Sequence, residues 1–65
     1  MNWDQVKGNW KQFRGQIKAQ WGELTDDEVE VINGRRDQLV GAIQEVYGLT
    51  KEEAEKEVKD FELTH

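Results

Sequence analysis

The sequence predicts an all-α fold, with four short helices forming two similar helical hairpins packed around one small core. Three observations carry that expectation. Apolar residues recur at helical spacing, the chain contains an internal repeat, and each copy of the repeat holds a T-x-x-E motif of the kind that starts a helix.

The repeat sets the organisation. Gly8, Trp10, Gln12, Phe13, Gly15, Ile17, Trp21 and Gly22 match Gly34, Arg36, Gln38, Leu39, Gly41, Ile43, Tyr47 and Gly48 at an offset of 26. After a one-residue deletion, Leu24, Thr25 and Glu28 match Leu49, Thr50 and Glu53 at an offset of 25. The chain is therefore expected to be a single domain over residues 1–65, with copies near 8–33 and 34–60.

Each copy opens with an amphipathic helix. Val6, Trp10, Phe13, Ile17 and Trp21 step by 4, 3, 4 and 4 residues and share one helix face. Asn2 with Gln5 supplies a capping-box-like start. The second helix begins at the Thr25/Glu28 capping box, with Val29 and Ile32 on its inner side. Leu39, Val40, Ile43, Val46 and Tyr47 repeat the stripe in the third helix, for which Asn33 is a candidate cap. Ala54, Val58 and Phe61 mark the inner face of the fourth, which starts at the Thr50/Glu53 box. Gly22 and Gly48 follow the aromatic that ends each stripe, where a left-handed glycine commonly closes a helix. Glu52 with Lys56 and Glu55 with Lys59 stand at i, i+4 in the favourable order. Asn33-Gly34 is the one hairpin-type dipeptide, and no alternating runs flank it. An open assembly closed by dimerisation is the rival to the favoured monomer.

Composition narrows the function. The chain has 65 residues, no cysteine, a formal net charge of -5 and a mean hydropathy of -0.96. Leu, Ile, Val and Phe make up 15 of the 65 residues, just above the level of roughly 20% below which a charged chain stays disordered. With neither a disulfide nor a Cys/His zinc cluster to staple it, the fold must rest on packing and caps, which leaves little for a walled catalytic pocket. The N-terminus lacks a secretory pattern, and no apolar run approaches the roughly 20 residues of a membrane span. The expected location is cytoplasmic.

Candidate chemistry is sparse. His65 is the lone histidine and is expected to fray at the terminus. There is no serine, and Thr25, Thr50, Thr64 and Tyr47 are assigned to caps, the terminus and an aromatic core position, so no nucleophile has a base beside it. Asp26, Asp27, Glu28 and Glu30 cluster, but they fit no EF-hand spacing and suit the first turn of a helix. The expectation is a non-enzymatic protein with no catalytic residues, no cofactor and no metal site.

Two surface signals remain. Gly8, Gly15 and Gly41 fall inside predicted helices, where each costs about 1 kcal/mol relative to alanine. Either a partner backbone approaches closely there, or the helix is deliberately weakened so that it can open, or the glycines are tolerated drift in a repeated unit. Charge is also uneven: residues 1–22 carry Lys7, Lys11, Arg14 and Lys18 against Asp4 alone, while 13 of the 14 acidic residues follow. Lys7, Lys11, Arg14 and Lys18 form a stripe that is a candidate anion-binding face for nucleic acid or an anionic membrane. The acidic whole opposes both partners, and the second copy does not reproduce the stripe. The favoured alternative is that the basic helix neighbours the acidic final helix, with its tryptophans in the core.

The blocks GNWKQF, QWG-x-LTDDE and RDQLVG-x-IQ-x-x-YG, within residues 8–28 and 34–48, closely resemble the CsbD-like family of small bacterial stress proteins. The resemblance spans nearly the whole chain. It implies a compact helical fold, synthesis raised in general, osmotic or stationary-phase stress, and no established activity or site residues. Six glycines and strong hydrophilicity are also similar to the hydrophilin class. Together these point to a soluble protective or protein-interaction role, with the basic-face binding module as the alternative.

Overall fold

The computed structural model describes residues 1–65 and contains five α-helices and no strand. They are α1 (Trp3–Gly8), α2 (Trp10–Gln20), α3 (Asp26–Ile32), α4 (Arg36–Tyr47) and α5 (Lys51–Thr64). The all-α expectation holds; the number four does not. Asn9, at φ -115° and ψ 36°, divides the first expected helix in two. Neither Trp10 nor Lys11 donates its backbone N–H to a carbonyl of α1, while Gln12 and Phe13 both turn to the Asn9 carbonyl. Gly8 and Asn9 are both weak helix formers, so the ladder breaks where continuing it gains least. Because only one residue leaves the helix, Val6, Trp10, Ile17 and Trp21 all still reach the core.

One cluster of 13 buried apolar residues runs through all five helices, adding Leu24 from the turn after α2. Val29 and Ile32 of α3, and Ala54, Val58 and Phe61 of α5, are buried as their spacing requires. Phe13 and Val46 pack at the edge of the cluster. The stripe residue Tyr47 leaves it, at 37% exposed. Nor are the hairpins separate units. α3 packs on α4, across the boundary between the copies, more extensively than on α2 of its own copy.

Local caps follow the sequence closely. Thr25 Oγ1 accepts the Glu28 N–H at 3.1 Å while Glu28 Oε1 accepts the Thr25 N–H at 2.8 Å. Thr50 and Glu53 repeat this at 3.1 and 2.9 Å. Asn2 Oδ1 accepts the Asp4 N–H at 2.8 Å to start α1.

Helix ends differ more from expectation. Gly48 closes α4 at φ 66°, but Gly22 keeps a negative φ and Trp21 stands at the end of α2. Asn33 does not start the next helix; it ends α3 in the left-handed region, at φ 46°. Gly34 follows at φ 78°, and a Cβ there would lie 2.6 Å from the Lys7 Cα. Two consecutive left-handed residues thus turn the chain hard beneath α1, and only glycine fits the second position. Gly8, Gly15 and Gly41 have no such neighbour within the fold.

Two further expectations change. Glu55 is drawn away from Lys59 to Arg36, and Glu52–Lys56 forms no ion pair. His65 is not loose: its ring stacks on Phe61 at 4.2 Å between centroids, and its backbone N–H donates to the Phe61 carbonyl.

Candidate functional site

The basic stripe of α1 and α2 is split by the fold. Arg14 of α2 donates to Glu30 of α3, and Lys18 Nζ to Asp26 Oδ1 at 2.6 Å. Hydrogen bonding from Lys18, reinforced by its charge, holds the Asp26 carboxyl below its ordinary range. Lys7 and Lys11, nearer the break at Asn9, form no ion pair; Lys11 borders a shallow groove with Gly8, Asn9 and Trp10. The counter-charges for α2 therefore come from α3 and not, as expected, from the final helix.

The carboxylates of α5 serve other donors. Glu57 accepts the Trp21 indole N–H at 2.9 Å, and Glu62 accepts that of Trp3 at 2.6 Å. Arg36 then joins Glu62 through Nε at 3.0 Å and Glu55 through Nη1 at 2.8 Å. This network, which ties α1, α4 and α5 together, was not anticipated. The one signal for it is that Arg36 occupies the repeat position of Trp10, a cation where the pattern calls for an aromatic. Burial pushes the Glu62 carboxyl up, yet the Trp3 and Arg36 hydrogen bonds and the nearby positive charges outweigh it, and its pKa lies below the ordinary value. The Glu55 hydrogen bond likewise raises Arg36, overcoming burial.

The acidic run after Thr25 is dispersed. Asp26 and Glu30 pair with α2, Glu28 closes the capping box, and Asp27 turns to a different surface. The hydroxyls are also engaged: Thr25 and Thr50 cap helices, Thr64 bonds to carbonyls in the last turn of α5, and Tyr47 Oη accepts the Glu23 N–H at 3.0 Å.

Asp27 lies on an open groove of about 410 Å³ between α3 and α4. Its walls include Glu28 and Val31 of α3 and Gly41, Ala42 and Glu45 of α4. Val31 is 61% exposed. No helix of the protein is long and apolar enough to cross a membrane.

Comparison with known proteins places the sequence. A CsbD-like family model matches residues 4–56. UPF0337 protein ECA0631 of Pectobacterium atrosepticum is 66% identical over 65 residues, covering all of this chain and 94% of its own length. UPF0337 protein YjbJ of Escherichia coli K12 is 63% identical over 62 residues, covering 95% of this chain and 90% of its own. UPF0337 protein pc0632 of Protochlamydia amoebophila is 51% identical over 65 residues, covering all of this chain and 98% of its own. With a family model matched over residues 4–56 and relatives 51–66% identical across nearly all of its length, the chain belongs to the CsbD-like family.

Proposed function

We propose that this protein is a non-enzymatic stress protein of the cytoplasm that protects or contacts other proteins through its charged, hydrated exterior. The observation that carries the reading is where its reactive groups go. The threonine, tyrosine and histidine side chains, which could act as nucleophile or base, are bonded into helix caps, a turn and a helix end. What faces solvent is mainly carboxylate, ammonium and amide; most large apolar side chains are in the core cluster, with Met1, Val31, Tyr47 and Leu63 the exposed ones, which leaves little for non-specific adhesion. The link to stress follows from likeness to the CsbD-like family.

Drying a labile enzyme with and without the protein tests this. Protection is expected to survive scrambling of Lys7, Lys11, Arg14 and Lys18, and its loss on scrambling would overturn a mechanism based on bulk surface.

One observation favours a second reading, a module that binds polyanions. Lys7 and Lys11 lack carboxylate partners and flank the break between α1 and α2. Amide shifts confined to residues 3–21 on adding an oligonucleotide or anionic vesicles, and weakening with salt, would support it. Absence of shifts at low salt would remove it.

A further inference from the structure

We infer that the groove between α3 and α4 is a docking site for a basic amphipathic helix of another protein. The inference rests on the partner-contact arm of the proposed function and gives that partner a chemistry.

The packing of α4 shows the site first. Its inward face is Leu39, Val40 and Ile43, all buried. A second face, Gln38, Gly41, Ala42 and Glu45, follows the i, i+3, i+4, i+7 pattern and lines the groove with α3; Gln38, Gly41 and Glu45 are exposed, and Ala42 is half-buried against the edge of the core. At its centre a Cβ on Gly41 would find nothing within 4 Å. Glycine is a poor helix former, and here no neighbouring backbone or side chain needs its small size. A short-side-chain seam on one helix allows a second helix to pack close to it. Val31 supplies an exposed apolar contact on the opposite wall.

Charge decides the occupant. Asp27, Glu28 and Glu45 rim the groove, and no lysine or arginine lines it. Asp27 and Glu45 form no ion pair in the fold, whereas Asp26, Glu30, Glu55 and Glu62 are each matched with a cation. The molecule's net charge of -5 adds a long-range attraction for a cationic partner. Two helices flanking an apolar floor with an acidic rim suit an amphipathic helix whose apolar seam is flanked by lysine or arginine. A second copy fits less well, because two molecules of net charge -5 repel, Arg14 and Lys18 are already tied to α3, and the unpaired Lys7 and Lys11 stand on either side of the break at Asn9, not along one continuous helix.

The test is a titration of the full-length, isotope-labelled protein with a synthetic helical peptide of alanine, leucine and lysine, set against a counterpart with glutamate for lysine. The lysine peptide is expected to shift amides within residues 27–31 and 38–45, less so at high salt, and the glutamate peptide to shift none. Gly41→Leu should weaken binding at least tenfold by obstructing the groove while raising the Tm, because leucine is the better helix former and its Cβ would meet nothing within 4 Å. Loss of binding in a more stable protein cannot be a folding defect. Glu45→Lys should weaken binding as well. Unchanged binding by Gly41→Leu, or shifts spread equally over the acids of α5, overturns the site. Concentration-dependent shifts of the same amides without peptide would give the groove to a second copy and overturn it too. Drying protection is measured without peptide, so failure of the titration and failure of the protective reading are separate results.

Discussion

The two copies of the repeat are most alike at their capping boxes and least alike at their glycines and aromatics. Thr25/Glu28 and Thr50/Glu53 make the same pair of bonds to within 0.1 Å. In contrast, Trp21 is 2% exposed, lies 5.2 Å from the Phe61 ring and donates to Glu57, whereas its counterpart Tyr47 is 37% exposed and accepts from a turn. Gly8 sits in open space, whereas Gly34 is wedged under Lys7. Trp10 is buried with its indole N–H unpartnered, while Arg36 in the same position holds two carboxylates. The lesson is that a duplicated sequence reproduces interactions closed within four residues, but packing two copies against each other gives equivalent positions unequal surroundings.

Paired substitutions test that contrast, beginning with the aromatics. Trp21→Ala should cost about 3–5 kcal/mol, enough to unfold much of a domain this small, while Tyr47→Ala should cost well under half as much. Urea denaturation followed by circular dichroism measures both, and equal losses would mean that the two copies are equivalent in the core after all. Next come the glycines. Gly34→Ala should destabilise by about 3 kcal/mol, combining a left-handed backbone with a clash against Lys7, while Gly8→Ala should be neutral or stabilise by up to about 1 kcal/mol. Thermal melts of the two variants should move in opposite directions or differ by many degrees. Thr25→Ala and Thr50→Ala should each cost about 1 kcal/mol and match one another; a large difference would show that even the caps depend on their setting.

The smallest expected effect is in acid. Asp26, Glu53 and Glu62 all titrate below their ordinary range when folded; for Glu53 the cause is hydrogen bonding within the capping box, backbone first. Between the folded and the ordinary values the unfolded chain therefore binds more protons than the folded one. The stabilisation is complete above the unfolded carboxylate pKa and is lost as pH falls through the folded values. Glu62→Gln, which removes a carboxylate with no counterpart in the first copy, should flatten the pH dependence of the urea midpoint below pH 4.5 and leave its slope near neutrality unchanged.

Much of the fold was legible because its strongest signals are local. Spacing located the buried faces of α2, α3, α4 and α5, and the T-x-x-E pairs located two helix starts to the residue. The break at Asn9 was hidden because losing one residue from a helix barely alters the phase of a 4-3-4-4 stripe. The role of Gly34 was hidden for a similar reason. What matters at Gly34 is a backbone 27 positions earlier, and spacing carries no record of that. The charged faces were legible as compositions but not as pairs. A stripe of cations says that counter-charges will be near, yet whether α3 or α5 supplies them depends on which helices touch. Arg36 was overlooked because a surface-type residue attracts notice only once its partners have been brought together from α1 and α5.

The bond between Trp3 and Glu62 closes a span of 59 residues, joining the first helix to the final turns of the last. A polypeptide clasped in this way has its two extremities in contact, so loosening either one withdraws a partner from the other. Melting should therefore register as a single event, and the combined indole emission of Trp3, Trp10 and Trp21, all packed in or against the core, is placed to report it without any added label.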